Sequence, residues 1–213
     1  MGDYGKCSIV KWQQYKKLLR NEYPTIGKWD IPIICKCEVD ITNIKLISAD
    51  HVRKVADRAD VDKSVHFFIE DSKQERFFDH PYDYTLRLAQ YANVLTPDYS
   101  LYTDMPLAIQ VYNVFKSRWC GAMWQDFGLS VIPTVSWSTE ESFDFCFDGI
   151  EYGSVVAVST LGALTKKDLF LEGYFEMKKR INPRQVLCFG KTFPEMGDEV
   201  IYVSYLETTR REK

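Results

Sequence analysis

The sequence lacks the long apolar run that a membrane-spanning helix requires. No stretch approaches the ~20 consecutive apolar residues needed to cross a bilayer. The segment from Met1 to Lys17 also lacks the apolar region and the small-residue cleavage site of a secretory signal peptide. We therefore expect a cytoplasmic protein that makes no membrane contact.

The sequence also lacks an excess of charge of either sign. Its 27 Lys and Arg residues are offset by 30 Asp and Glu residues, which gives a net charge of −3. This balance provides no general electrostatic footprint for nucleic acid. The densest basic cluster, at residues 178–184, closes a predicted helix, where cations interact favourably with the helix dipole. Binding to nucleic acid or to a host protein is kept as an alternative, although the net charge does not support it.

The short motifs that identify common catalytic or cofactor sites are absent. No G-x-G-x-x-G, H-E-x-x-H or G-x-S-x-G pattern occurs, so neither a dinucleotide site nor a zinc protease nor a nucleophilic serine is indicated. The segment Phe189 to Thr192 resembles the end of a P-loop, but Gln185 occupies the position of its required first glycine. Cys35 and Cys37 have no second pair of ligands to complete a zinc site. We expect no metal site and assign no cofactor.

What the sequence does contain is an ordinary globular composition. Hydrophobic residues make up 46% of the chain and aromatic residues 15%. This composition and length predict a single domain over residues 1–213, with a flexible charged tail at 208–213. The six cysteines are dispersed in a chain too large to need a disulfide framework, which favours reduced, mostly buried thiols.

Apolar periodicity predicts alternating strands and helices, which are best defined over residues 64–190. Strands are predicted at 65–69, 94–96, 131–135, 155–158 and 186–189, with an edge strand at 200–203. Helices are predicted at 85–91, at 106–127, where the pattern is clearest, and from a Thr165–Asp168 capping pair to residue 181. In the first sixty residues the pattern predicts helices at 9–19 and 48–59 and a strand at 31–35.

Strands separated by helices imply an α/β fold with a mostly parallel sheet, because parallel neighbours need a crossover connection. Two architectures satisfy this pattern. One is a TIM-barrel-like fold, irregular or incomplete because a full eightfold barrel usually takes ~250 residues. The alternative is an open doubly wound sheet.

Both architectures place ligands at the carboxyl ends of the strands. Asp98 follows a predicted buried strand, where a carboxylate can act as a general base or bind a substrate hydroxyl or amine. Asp104 is the second candidate for a catalytic carboxylate. Each has a structural alternative, since Asp98 follows a proline as in an Asx-turn and Asp104 precedes a helix as an N-cap does. His66, inside a predicted strand, is interpreted as a core residue.

Other polar and aromatic side chains at the same strand ends are candidates for ligand binding. Trp137 can stack on a flat ligand or simply pack half-buried. Ser159 and Thr160 precede a helix whose amide end can hold a phosphate, or they satisfy turns. The full set of predicted ligand-binding residues is Ser100, Tyr102, Ser136, Trp137, Ser159 and Thr160.

Several segments resemble one family. They are P-D-Y-S-L-Y-T-D-M-P at 97–106, V-I-P-T-V-S-W at 131–137, S-F-D-F-C-F-D-G at 142–149, and residues 155–160. The resemblance covers roughly residues 77–190 and is to an uncharacterised family, a domain of unknown function found in bacteria, their phages and mobile elements. It implies a prokaryotic or phage source and suggests a role in replication or in countering host defence. It assigns no catalytic residue.

The leading functional hypothesis is an enzyme, or a descendant of one, that binds a nucleotide or a sugar phosphate at the carboxyl ends of the strands. The rival is a non-catalytic phage or plasmid accessory protein that uses its aromatic residues to bind a host protein or DNA. A third interpretation is that the aspartates and the Ser136-Trp137-Ser138 loop only hold the fold together.

Overall fold

The computed structural model describes residues 19–204 and residue 208. Within these ranges the strands are β1 (Thr25–Ile26), β2 (Ile31–Pro32), β3 (Leu46–Ser48), β4 (Ser64–His66), β5 (Asn93–Leu95), β6 (Val131–Ile132), β7 (Val156–Ser159), β8 (Val186–Phe189) and β9 (Val200–Val203). The α-helices are α1 (Asp71–Asp79), α2 (Pro81–Leu88), α3 (Leu107–Asp126) and α4 (Lys167–Ile181). Short 3₁₀ helices occupy Ala49–His51, Glu140–Asp144 and Pro194–Met196.

The strands from β3 onward are all parallel to their neighbours, and their spatial order follows the chain. β3, β4, β5 and β6 form one sheet in that order, and β7, β8 and β9 form the next. A parallel bridge between Thr134 and Ala157 joins the two sheets. There Val135 N–H donates to Ala157 O at 2.8 Å, and Ala157 N–H donates to Pro133 O at 2.9 Å. β1 and β2 form a separate antiparallel hairpin.

This topology confirms the α/β class and the mostly parallel sheet. The strand order contains no reversal, which a doubly wound sheet needs at its switch point. Among the described residues β9 does not pair with β3, so a closed TIM barrel is not shown.

Side chains alternate between the two faces of the strands, and each face has its own core. On the outer face, Val65, Val94 and Val131 pack against apolar residues of α1, α2 and α3. Further along, Val156, Val158 and Val186 pack against α4. The inner face carries no helix in its core; its apolar cluster includes Leu46, Phe68, Leu95, Ile132, Ala157, Leu187 and Val203. All seven parallel strands, or the residues just after them, thus contribute to one inner cluster.

Most of the predicted elements are confirmed, with shifted ends. The predicted strands correspond to β4 to β9, and α3 covers nearly all of the clearest predicted helix. Pro106 is the residue before α3 rather than a member of its first turn. α4 ends at Ile181, and its C-cap Asn182 has a left-handed φ of 45°, a conformation that asparagine tolerates at this position. Residues 9–18 of the predicted helix 9–19 and the tail beyond residue 208 fall outside the described residues.

Two predictions of helical structure are wrong. Residues 48–59 are not a helix, because Leu46–Ser48 pairs with β4 and buries all three of its residues. Only the 3₁₀ turn Ala49–His51 follows, capped by the Ser48 hydroxyl, which accepts from Asp50 N–H at 3.4 Å. The Thr165–Asp168 capping pair does not form either, since α4 begins at Lys167 without a side-chain cap.

The described part of the chain offers no helix whose length and apolar character together suit a membrane crossing. Its cysteines are free thiols, of which Cys35 alone is exposed and the other four are buried.

Candidate functional site

The carboxyl ends of β3 to β7 open into a cleft of about 720 Å³. Each of these five consecutive strands contributes a polar side chain at or just beyond its end, and these residues are Ser48, His66, Asp98, Ser136 and Ser159. Parallel pairing in chain order explains the convergence, because it brings all carboxyl ends to the same edge of the sheet.

Seven of the eight predicted site residues line this cleft, namely Asp98, Ser100, Tyr102, Asp104, Ser136, Trp137 and Ser159. Thr160 does not. It is 1% exposed and lies beneath Gly190, where an added Cβ would come within 2.7 Å of its hydroxyl. The alternation of the strand turns Ser159 to the inner face and Thr160 away from it. A role in binding for any of these residues stays a prediction.

The Asp98 carboxyl has a raised pKa. Burial raises the pKa of its carboxyl to about 6, and the nearby Asp71 carboxylate acts in the same direction. A hydrogen bond from the Ser136 hydroxyl and the field of the buried Arg118 lower the pKa and offset part of this rise. A carboxyl with a pKa near 6 can both accept and return a proton close to neutral pH.

Helices α1 and α3 hold the Asp98 loop in place. The buried Gln74 amide of α1 donates to the carbonyl oxygens of Asp98 and Ile69, each at 3.0 Å. Asp71, the first residue of α1, accepts from Ser100 N–H at 3.2 Å and from its hydroxyl at 3.1 Å. From α3, Asn113 donates to Ser100 O at 2.8 Å. The loop is therefore pre-organised by side chains of two helices rather than by an Asx-turn of Asp98.

A buried polar network fixes β6 relative to β5 where Pro133 interrupts the ladder. Thr134 N–H donates to the Thr96 hydroxyl, and the Thr134 hydroxyl donates to Thr96 O, both at 2.8 Å. Ser117 of α3 donates to the same Thr96 hydroxyl at 3.1 Å, and Arg118 donates to Thr134 O at 2.8 Å. The network sets the relative positions of Asp98 and Ser136, which follow these two strands.

Asp104 lies in the exposed turn before α3. The N-cap interpretation of Asp104 is wrong, because Pro106 occupies the cap position and α3 has no side-chain cap. The turn is held instead by Gln110, whose amide donates to Met105 O at 2.8 Å and to Tyr102 O at 3.2 Å. Tyr102 projects from this turn with 60% of its surface exposed.

Trp137 forms one wall of the cleft and also packs against α4. Its ring centroid lies 5.0 Å from that of Phe170. The indole sits directly on Gly173, where an added Cβ would come within 2.2 Å of the ring. The packing interpretation of this half-buried residue is therefore confirmed, while stacking on a flat ligand stays a prediction for the part of Trp137 that lines the cleft.

His66 belongs to the cleft, although the sequence pattern indicated only a core residue. It is 2% exposed, and its Nε2 has no hydrogen-bond partner among the described residues. Its Nδ1 accepts from Phe68 N–H at 3.3 Å. Burial lowers the pKa of the imidazole to about 3, and His51 adds to this effect, so the ring is neutral at physiological pH. The period-two pattern through Ser64, His66 and Phe68 was the signal that places His66 on the inner face.

The cleft is acidic and holds two lysines. Four carboxylates line it, from Asp50, Glu70, Asp98 and Asp104, beside Lys73 and Lys166. Lys73 is paired with Asp50 at 3.5 Å and with Glu70 at 3.8 Å. Lys166 precedes α4 and contacts the Thr103 hydroxyl at 3.2 Å. No cluster of three or more acidic, histidine or cysteine side chains suited to a metal ion occurs within residues 19–204 or at 208.

Comparison with known proteins identifies one family. A family model described as a domain of unknown function, DUF4417, matches residues 23–206, which is most of the chain and includes every residue of the cleft except Thr208. No solved structure matches the chain.

Two curated proteins of mycobacterial phages are similar to the chain. The Gene 1 protein of Mycobacterium phage L5 is 45% identical over 131 residues, which are 60% of this chain and 57% of that protein. The Gene 1 protein of Mycobacterium phage D29 is 35% identical over 224 aligned residues, which cover 98% of this chain and 81% of that protein. The alignment with the L5 protein thus spans little more than half of that relative.

Proposed function

Because the chain belongs to the DUF4417 family, a domain of unknown function, we propose its activity from the cleft alone. It is an enzyme, or a descendant of one, that binds a small polar ligand such as a nucleotide or a sugar phosphate at the carboxyl ends of the strands. Asp98 exchanges a proton with this ligand. The observation that carries the proposal is the meeting of five strand ends at one cleft that the Asp98 carboxyl lines, where burial raises its pKa to about 6.

The parts of the cleft suit different parts of such a ligand. Trp137 and Tyr102 offer aromatic surface to a base or a sugar ring. Lys166 and Ser159 lie at the side from which α4 starts, where a cation, a hydroxyl and helix amides favour a single phosphate. The acidic remainder of the cleft disfavours ligands with several negative charges.

The shape of the sheet supports the same proposal. We propose that β3 to β9 form an incomplete barrel, because the inward side chains of all seven strands meet in one apolar cluster. Barrels of parallel strands bind their ligands at the carboxyl ends.

A cytoplasmic location and the absence of membrane contact stay predictions.

A thermal-shift screen of nucleotides and sugar phosphates tests the proposal, because a ligand that binds only the native state raises the melting temperature. We expect a stabilising compound for the wild-type protein. Asp98→Asn should weaken its binding at least tenfold, and Ser159→Ala should weaken it less. Asp62→Asn, at an exposed site outside the cleft, serves as the control and should bind as the wild type does.

The same screen also tests the rival accessory role. A silent panel, together with binding to DNA that weakens steeply with salt, would replace the small-ligand proposal by nucleic-acid binding. Binding that survives Asp98→Asn unchanged would remove Asp98 from the site.

A further inference from the structure

The floor of the cleft carries one hydrogen-bond donor that nothing in the described protein uses. The His66 ring packs beside two aromatic rings that are stacked on each other, with its centroid 5.6 Å from that of Phe68 and 4.8 Å from that of Phe189. These contacts hold the imidazole in place among the residues that line the cleft.

The hydrogen bond at Nδ1 identifies the tautomer. Phe68 N–H donates to His66 Nδ1 at 3.3 Å, so Nδ1 must carry a lone pair. In a neutral imidazole the proton is then on Nε2. Burial keeps the pKa of this ring at about 3, which favours the neutral form. Nε2–H is therefore a buried donor at the cleft with no acceptor among the described residues.

Buried donors are almost always satisfied in native proteins, so an unmatched donor at a cleft points to a ligand atom. A neutral N–H group requires an acceptor lone pair and repels another donor such as an amino group. A full negative charge at the same place is disfavoured, since four carboxylates line the cleft. A carbonyl oxygen meets these conditions, because it accepts hydrogen bonds, carries no charge and offers no proton.

We propose that His66 Nε2–H donates to a carbonyl oxygen of the bound ligand, so that the ligands of this cleft are carbonyl compounds. This inference rests on the proposed function and specifies the substrate class for it. A keto-bearing nucleobase and a small keto sugar phosphate offer the same carbonyl chemistry.

Two matched pairs of phosphates separate these sources. Inosine monophosphate carries a ring carbonyl where adenosine monophosphate carries an amino group. Dihydroxyacetone phosphate carries a ketone where glycerol 3-phosphate carries an alcohol. In calorimetric titrations of the wild-type protein, the carbonyl member of at least one pair should bind about tenfold more tightly, the usual effect of one hydrogen bond on binding.

Two substitutions of His66 separate the donor from the fold. Asn places its amide oxygen near the Nδ1 position and can still accept from Phe68 N–H, but has no donor at the Nε2 position. Gln extends a donor to the Nε2 position. His66→Asn should lose the preference for the carbonyl member, and His66→Gln should keep most of it. Melting curves without ligand verify that both variants fold; should either unfold, the ¹⁵N shift of wild-type His66 Nε2 on titration replaces the comparison.

The outcomes are distinct from those for the proposed function. Equal binding within both pairs, undiminished preference in His66→Asn, or a His66 Nε2 signal that ligand leaves unmoved would overturn the role of His66. The proposed site at Asp98 is still supported after such results if other compounds bind and Asp98→Asn weakens their binding. No binding of the four compounds also overturns the inference, and a silent wider screen overturns the proposed function with it.

Discussion

At the residue scale, the features that suit Asp98 to its proposed role also make its ionised form costly for stability. A carboxyl whose pKa rises from about 3.9 in the unfolded chain to about 6 in the fold binds its proton more tightly when folded. The contribution of Asp98 to stability is therefore most favourable below pH 4, falls as the pH rises through 4 to 6, and stays lower above pH 6. This sign is opposite to that of a carboxylate that stabilises the fold through an ion pair.

Replacement of Asp98 by Asn should therefore stabilise the protein at pH 8. We expect a gain of roughly 1–3 kcal/mol, since each pKa unit corresponds to about 1.4 kcal/mol and the Ser136 hydrogen bond gives part of this back. At pH 4 the gain should nearly vanish. Urea unfolding at both pH values measures it. A loss of stability at pH 8 would instead show that Asp98 holds the fold together.

The candidate residues after strands were predictable because a parallel sheet gathers its carboxyl ends. Asp98, Ser136 and Ser159 lie at one cleft for this reason. Thr160 was predicted to lie with them but does not line the cleft, because a difference of one residue along a strand turns the side chain to the other face. The environment of the unpaired His66 Nε2 depends in part on the ring of Phe189 from β8, a contact between residues far apart in sequence that a local pattern cannot specify.

At the element scale, pairing between strands determined the secondary structure at the positions where the sequence pattern predicted it wrongly. The apolar spacing after Ser48 is compatible with a helix, yet β3 forms because it pairs with β4 and buries Leu46 and Ile47. β6 is only two residues long because Pro133 cannot donate to the ladder. The Thr96–Thr134 hydrogen bonds that continue the contact beyond Pro133 involve residues 38 apart in sequence, so no local pattern reveals them.

The contact of α4 with the cleft wall depends on Gly173. In most helix interiors Gly→Ala stabilises by up to ~1 kcal/mol. Gly173→Ala should do the opposite and destabilise by about 1–3 kcal/mol, because the new methyl group collides with the Trp137 indole. A shift of the Trp fluorescence maximum should accompany the loss, although five tryptophans share the signal.

The matched control for this substitution is Glu172→Ala, one residue earlier on the exposed face of α4. Its effect on unfolding should stay within ~0.5 kcal/mol. If Gly173→Ala proved as stable as this control, Trp137 would not be held against α4, and the wall of the cleft would not be rigid.

At the scale of the whole molecule, seven parallel strands in chain order place their helices on the outer face and their carboxyl ends at one edge. The inner face is filled by side chains of the strands together with Cys37 and Ile41 from the segment before β3. Fold class and the edge that carries the cleft follow from the alternation of strands and helices. The acidity of the cleft follows only in part, because Asp50 lies in the segment 48–59, which was mispredicted as a helix.

Proton exchange on ligand binding tests the central claim most directly. At pH 6 Asp98 is about half-protonated, so a ligand that touches it changes its proton occupancy. Calorimetric titration of the most stabilising compound in two buffers of different ionisation enthalpy measures the protons exchanged. We predict a measurable fraction of a proton for the wild type and essentially none for Asp98→Asn. Equal proton exchange by the two proteins, with equal affinity, would contradict a ligand site at Asp98.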